Sequence, residues 1–315
     1  MTDIPTGVPV ADAIAAAQVP STGTLSLDHV AHFVPDIESA SAALEHLGFT
    51  LTPFSAQSHR LEPGGALLSA GTGNRCVMLE RGYLEFLTPT GDTPIADQLR
   101  AALQRYVGVH LIAFGTAAPD VDHARLTAEG FGPLAPVALQ RPIGTETGVG
   151  TARFTVVRVP PGTMAEGRIQ YCQQHTPDLL WQRRWLQHRN ASTALTCVVL
   201  CVADPQEAAQ RYSRYTGLAP VNSGPAWTIE TARGSLSMID PVTFERVLGQ
   251  RPPAAPWIAG YALESADLAA TREHLDRAGI TINELHGGRL LVHMPQTLGV
   301  ILVFQQPGSS PFTFG

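Results

Sequence analysis

Apolar and polar positions alternate with a period of two from Leu27 to Val34 (LDHVAHFV), so successive side chains point to opposite faces of an extended strand. Pro35-Asp36 closes the run. Residues 37–47 then have the Ala/Leu/Glu content of a helix, with Asp36 as its N-cap and Gly48 as its C-terminal stop. Residues 49–52, 75–80 and 82–89 read as strands. A Gly/Ser-rich connection through Gly73 separates the first two, and a tight turn at Arg81-Gly82 joins the last two. The unit is strand, helix, three strands.

This unit returns three times. The second copy has a strand at 109–114, a helix from Pro119-Asp120 to Glu129, a polar insert at 139–150, a strand at 152–159 and a closing strand at 167–172. The third has a strand at 195–202, a turn at Asp204-Pro205, a helix to Tyr215 and a closing strand at 234–241. The fourth has a strand at 258–263, a helix at 267–278 and a closing strand at 299–304. The pattern predicts an α+β fold of four βαβββ modules in two pseudo-twofold halves. Residues 1–24 form an N-terminal arm, 25–174 the first half, 193–306 the second half and 307–315 a tail. Between the halves, 175–192 is a crossover whose Trp181 and Trp185 face a core. The proline-rich stretch 250–256 links the third and fourth copies.

Composition narrows the function. With 44% hydrophobic and 15% charged residues, the 315-residue chain is globular rather than disordered. A net charge of −6 without a Lys/Arg cluster argues against nucleic-acid and anionic-membrane partners. Cys76, Cys172, Cys197 and Cys201 form no C-x-x-C pair and fit buried thiols in a reduced, cytoplasmic setting. Residues 1–24 contain no Lys or Arg, unlike the start of a signal peptide.

Candidate chemistry starts at His29, which interrupts an apolar strand face. A single histidine there is usually a satisfied core residue. Recurrence changes that reading: His110 matches His29, Phe114 matches Phe33, Gly167 matches Gly82 and Gln170 matches Glu85. Two imidazoles, a carboxylate and an amide oxygen are donors that a borderline divalent metal accepts while keeping a position open for substrate. Tyr83 and Cys172 share the strand face of Glu85 and Gln170 and are expected to line the pocket. His32 lies on the opposite face from His29 and reads as structural. His175, after a closing strand, is a candidate acid/base at the mouth of the site. Arg141, Arg153 and Arg168 are candidates to clamp an anionic substrate, with plain surface charge as the alternative. No Ser or Cys stands in a nucleophile-elbow setting, so covalent catalysis has no support.

The repeated modules, the LDHV and VHLIAF opening strands and the GYLEFLTP closing strand resemble the vicinal oxygen chelate superfamily, from Leu25 to about Gln306. That group includes glyoxalase I, methylmalonyl-CoA epimerase, extradiol dioxygenases and resistance proteins, and the closest resemblance is to glyoxalase-like domain proteins. The resemblance implies one divalent ion (Zn, Ni, Mn or Fe(II)) on His29, Glu85, His110 and Gln170, the last departing from the usual glutamate. It implies a lyase or isomerase acting on a small oxygenated substrate that chelates the metal, with Glu85 moving a proton. Without Gln170 the set has the composition of an Fe(II) facial triad, which gives an extradiol-type dioxygenase as the alternative. A metal-free ligand-sequestering protein is the third reading. The partner is a small molecule, and the chain is a monomer or homodimer. The matching positions of the second half are Cys197, Ser237, Gly260 and Leu302, a poor donor set, so that half is expected to be a metal-free copy kept for packing.

Overall fold

A computed structural model describes residues 10–59, 66, 68–310 and 312. Helix α1 (Val10–Ala16) precedes the first module, which comprises β1 (Ser26–Phe33), α2 (Ile37–His46), β2 (Ser55–His59), β3 (Leu68–Met78) and β4 (Tyr83–Pro89). Helix α3 (Pro94–Leu103) leads to the second: β5 (Gly108–Gly115), α4 (Pro119–Ala128), β6 (Val137–Thr145), β7 (Gly148–Arg158) and β8 (Arg168–Gln174). After the one-turn helix α5 (Pro177–Leu180) comes the third: β9 (Ser192–Cys201), α6 (Pro205–Thr216), β10 (Pro220–Asn222), β11 (Ala226–Glu230) and β12 (Ser235–Ile239). Helix α7 (Pro241–Leu248) precedes the fourth: β13 (Trp257–Ser265), α8 (Leu268–Arg277), β14 (Asn283–Leu285), β15 (Arg289–His293) and β16 (Ile301–Gln305).

Local chemistry starts the helices where the pattern predicts. Asp36, Asp204 and Asp267 each accept a hydrogen bond from a backbone N–H in the first turn of α2, α6 and α8. Two linking helices escape the strand-and-helix pattern. Both α3 and α7 open with a capping side chain, Thr93 or Asp240, followed by proline at the first turn, where the missing N–H costs nothing.

In each module the opening strand pairs parallel with the closing strand, which pairs antiparallel with the strand before it. Opening strands pair antiparallel within each half, β1 with β5 and β9 with β13, and the Ile258–Val109 bridge joins the halves into one sheet. One face of this sheet buries Val30, Phe86, Ile112, Phe114, Val198 and Tyr261 with residues of α2, α4, α6 and α8 in the largest core. The other is the inner face. In the first half it carries Ala31, Phe33, Leu87, Leu111, Ala113, Val156 and Cys172, packed with Leu99 of α3.

Two stretches differ from expectation. Residues 49–52 are not a strand: Thr52 makes one backbone bond to Cys76, and Pro53 has no N–H to continue the ladder, so pairing begins at Ser55. The polar insert 139–150 is not a loop but the tip of the β6–β7 hairpin, which turns at Glu146-Thr147. The N-terminal arm docks by Gln18, which is fully buried, donates to Glu80 O and accepts from Gly82 N. In the crossover Trp181 is buried and donates to Leu79 O, while Trp185 is half-buried.

The halves are tied by ion pairs. Arg211 of α6 grips Glu166 with two bonds of 2.9 and 2.8 Å, and Arg81 pairs with Glu264. No described helix is long and apolar enough to cross a membrane.

Candidate functional site

The β1–β5 ladder contains two bulges. Leu27 and His29 pair with the consecutive residues Phe114 and Ala113, which leaves Asp28 unpaired; Ala31 and His32 pair with Leu111 and Val109, which leaves His110 unpaired. A bulged residue escapes alternation. Asp28 therefore turns to the inner face beside His29, and Leu27 keeps its place in the outer core.

This bulge makes a dyad. Asp28 is fully buried, and its Oδ2 accepts from His29 Nδ1 at 2.6 Å and from Gln174 Nε2 at 3.1 Å. The imidazole stacks on Tyr83 with ring centroids 4.3 Å apart. No described residue bonds its Nε2. Burial, then the charges of Asp28 and Glu85, pushes the Tyr83 phenol well above its ordinary range.

The register sets the remaining inner-face residues in two rows. The first runs Tyr83, His29, Ala113, Gln170, Arg158 across β4, β1, β5, β8 and β7. The second runs Cys76, Glu85, Ala31, Leu111, Arg168 across β3, β4, β1, β5 and β8. Ala31 and Ala113, the small central residues, are fully buried and pack in one cluster with Leu99 of α3. Glu85 Oε1 accepts from Asn74 Nδ2 and from Gln57 Nε2 at 3.4 Å, and Gln57 Oε1 accepts from the Thr72 hydroxyl at 2.7 Å. Cys172 is buried beside Asp28 and Glu85, and burial first, then those charges, drives its thiol pKa well up, so it lines the site as a neutral group.

His110 does not join His29. Its ring lies between Tyr106 (4.1 Å) and Phe33 (5.1 Å), and its Nε2 bonds Tyr106 O at 2.9 Å. Burial pulls its pKa down to about 4. The bulges correct the repeat alignment here: His110 is the counterpart of Asp28, and the counterpart of His29 is Leu111. His32 is buried on the outer face, bonded to Tyr261 Oη at 3.1 Å and Leu298 O at 3.3 Å, with burial lowering its pKa to about 3. The three arginines separate. Arg141 reaches Cys76 on the inner face, Arg168 donates to Gln98 Oε1 at 3.1 Å, and Arg153 is exposed. His175 is exposed and bonds Thr155 Oγ1 at 2.8 Å. Thr155 alternates with the inner-facing Val156, which puts His175 on the outer side, away from the site.

The residues expected to hold a divalent metal do not fit one as placed. His110 is held in its ring stack, Glu85 is bound by two amides, and Gln170 shares a row with His29 rather than with Glu85. Among the described residues no three His, Cys, Asp or Glu side chains gather as a donor set. The residues that the sequence reading did not supply are Asp28, which a bulge turns, and Gln174, Asn74 and Gln57, which lie beyond the strand bounds read from the sequence. Asp28 stood next to His29 in sequence but on the wrong face until the bulge turned it.

In the second half the bulge residues that match Asp28 and His110 are Thr196 and Ala259, and a further bulge leaves Thr193 unpaired. Cys197 matches His29 and Ser237 matches Glu85 as expected, but the counterpart of His110 is Ala259 rather than Gly260, and the fourth position is Val303 rather than Leu302, since Val303 pairs with Ala262 three residues past the bulge. Thr196 accepts from Gln305 at 3.2 Å, as Asp28 accepts from Gln174. The inner face itself is filled: Phe312, 2% exposed, packs with Cys197, Ala259, Ala262 and Val303, and Arg289 lies 5.7 Å from its ring centroid.

The profile of the glyoxalase-like domain matches residues 27–216, more than half of the chain. No curated protein matches the sequence. Among solved structures, a hypothetical protein from Staphylococcus aureus is 10% identical with a TM-score of 0.61, covering 90% of this chain and 99% of its own. A mutant 4-hydroxymandelate synthase from Streptomyces coelicolor is 14% identical with a TM-score of 0.55, covering 92% and 95%. The Mn(II)-bound glyoxalase from Novosphingobium aromaticivorans is 9% identical with a TM-score of 0.51, covering 89% and 81%. At such identities the likeness establishes the fold.

Proposed function

The chain belongs to the glyoxalase-like domain family of the vicinal oxygen chelate superfamily, and we propose that it is an enzyme of lyase or isomerase type whose site is the inner face of the first half. The observation that carries this reading is the Asp28–His29 dyad. A buried carboxylate on Nδ1 fixes the tautomer, stabilises the imidazolium and leaves Nε2 as the group that exchanges a proton. A small oxygenated substrate would lie between His29 and Gln170, the polar groups on either side of Ala113 in one row. His29 Nε2 takes a proton from the carbon beside its carbonyl and returns it. The Gln170 amide, across Ala113 in the same row, donates to the enolate oxygen, and Glu85 serves as the second proton carrier. The proton moves between side chains of the chain itself, and among the described residues no three His, Cys, Asp or Glu donors gather to hold a metal.

The ungathered donors also favour a second reading, a ligand-sequestering protein on the same fold. Proton NMR separates the two. Incubated in D2O with a panel of α-ketoacids and α-hydroxythioesters, the protein should exchange the proton beside the carbonyl of at least one of them. His29→Ala should lose this exchange while remaining folded. Binding of a panel member without any exchange supports sequestration instead.

A further inference from the structure

Arg158 and Arg168 stand together at the β7–β8 end of the inner face. Arg158 pairs with Gln170, and Arg168 lies two residues along the same strand, so both side chains emerge on the Gln170 side of the sheet. Burial lowers the pKa of both, and the neighbouring Arg158 charge lowers that of Arg168 further. The Arg168 guanidinium has one described side-chain partner, the neutral Gln98 amide, and no described residue bonds or ion-pairs the Arg158 guanidinium. Glu85 acts on Arg168 through space but lies outside ion-pair distance, its carboxylate being taken by Asn74 and Gln57. Two half-buried like charges without a carboxylate contact are an unfavourable arrangement unless an anion completes it.

We propose that Arg158 and Arg168 form a subsite for the carboxylate of a monoanionic substrate. Two guanidinium charges offset by Glu85 leave a net charge of about one, which suits a carboxylate better than a phosphate dianion. From β8 to β1 is two strand spacings, roughly 10 Å. The substrate therefore carries its carboxylate at one end and the exchanging carbon at the other, over Ala113 and within reach of His29. This rests on the site being the one proposed above, and the test keeps the two apart.

Pyruvate is the probe, titrated calorimetrically into the full-length protein, with inorganic phosphate and chloride as competitors. The expected result is binding that weakens with added chloride, falls at least tenfold in Arg158→Gln and in Arg168→Gln, and is kept in His29→Ala. In anion-free buffer Arg158→Gln should unfold at or above the wild-type temperature, because it relieves repulsion. Equal binding by wild type and the double variant overturns the subsite, as does phosphate binding without pyruvate binding. So does the absence of pyruvate binding together with a lowered unfolding temperature of both variants in anion-free buffer, which marks the two arginines as structural. Loss of pyruvate binding in the arginine variants together with proton exchange surviving in His29→Ala upholds the subsite and removes His29 as the base.

Discussion

The two halves are built on one plan and have opposite interiors. Each has bulged, antiparallel opening strands and a linking helix, yet the first sets Asp28, His29, Glu85, Gln170 and arginines on its inner face, and the second Thr196, Cys197, Ala259, Ala262 and Val303. In the second half the chain's own Phe312 packs on this surface, whereas in the first half Leu99 of α3 packs on its apolar part and the polar groups stand beside it. The scaffold therefore needs neither the dyad nor its absence. What differs is the residue set at the bulges and which segment of the chain packs against it.

The sharpest way to break this contrast is to exchange the chemistry for packing. His29→Ala and Asp28→Asn should each reduce proton exchange by about 10²- to 10⁴-fold, the usual worth of a positioned acid/base group. Cys197→Ala, the matching change in the second half, should leave the rate within about twofold.

Next in size is the plug. Phe312→Ala should destabilise the protein by about 3–5 kcal/mol through the cavity left among Cys197, Ala259 and Val303, measured by chemical denaturation. Turnover by the folded fraction should be unchanged.

Acid sensitivity should also belong to the first half. The pKa of His110 falls to about 4 in the folded protein, from about 6.5 in the unfolded chain. Between those values the unfolded state binds more protons, so stability falls as pH drops through that window and levels off below it. His110→Leu should remove on the order of 2–3 kcal/mol of that pH dependence, read from unfolding midpoints at pH 7 and pH 4. Turnover should survive, which distinguishes His110 from His29.

The smallest effects are expected outside the inner face. His175→Ala and Arg153→Ala, both exposed, should change stability by no more than about 0.5 kcal/mol and leave turnover intact.

The fold was legible because hydrophobic period and closing glycines agree at every module, and an aspartate caps the helix in three of the four, α4 opening on Pro119 without a side-chain cap. The site was half legible. His29, Glu85, Tyr83, Cys172 and Gln170 do fall on one face, since alternation alone decides that. Their relation to His110 was not legible, because a bulge adds one residue to a strand without a sequence mark and shifts every match beyond it. Asp28 was hidden for the same reason. The polar hairpin at 139–150 was missed because its glycines and threonines form a ladder of backbone bonds that needs no apolar pattern.

The most direct measurement is histidine-labelled NMR of the full chain during titration with the panel compound that exchanges its proton. The His29 ring resonances should move with saturation, while those of His274, His286 and His293 in the second half stay in place. Resonances of the second half moving while His29 stays fixed would contradict this.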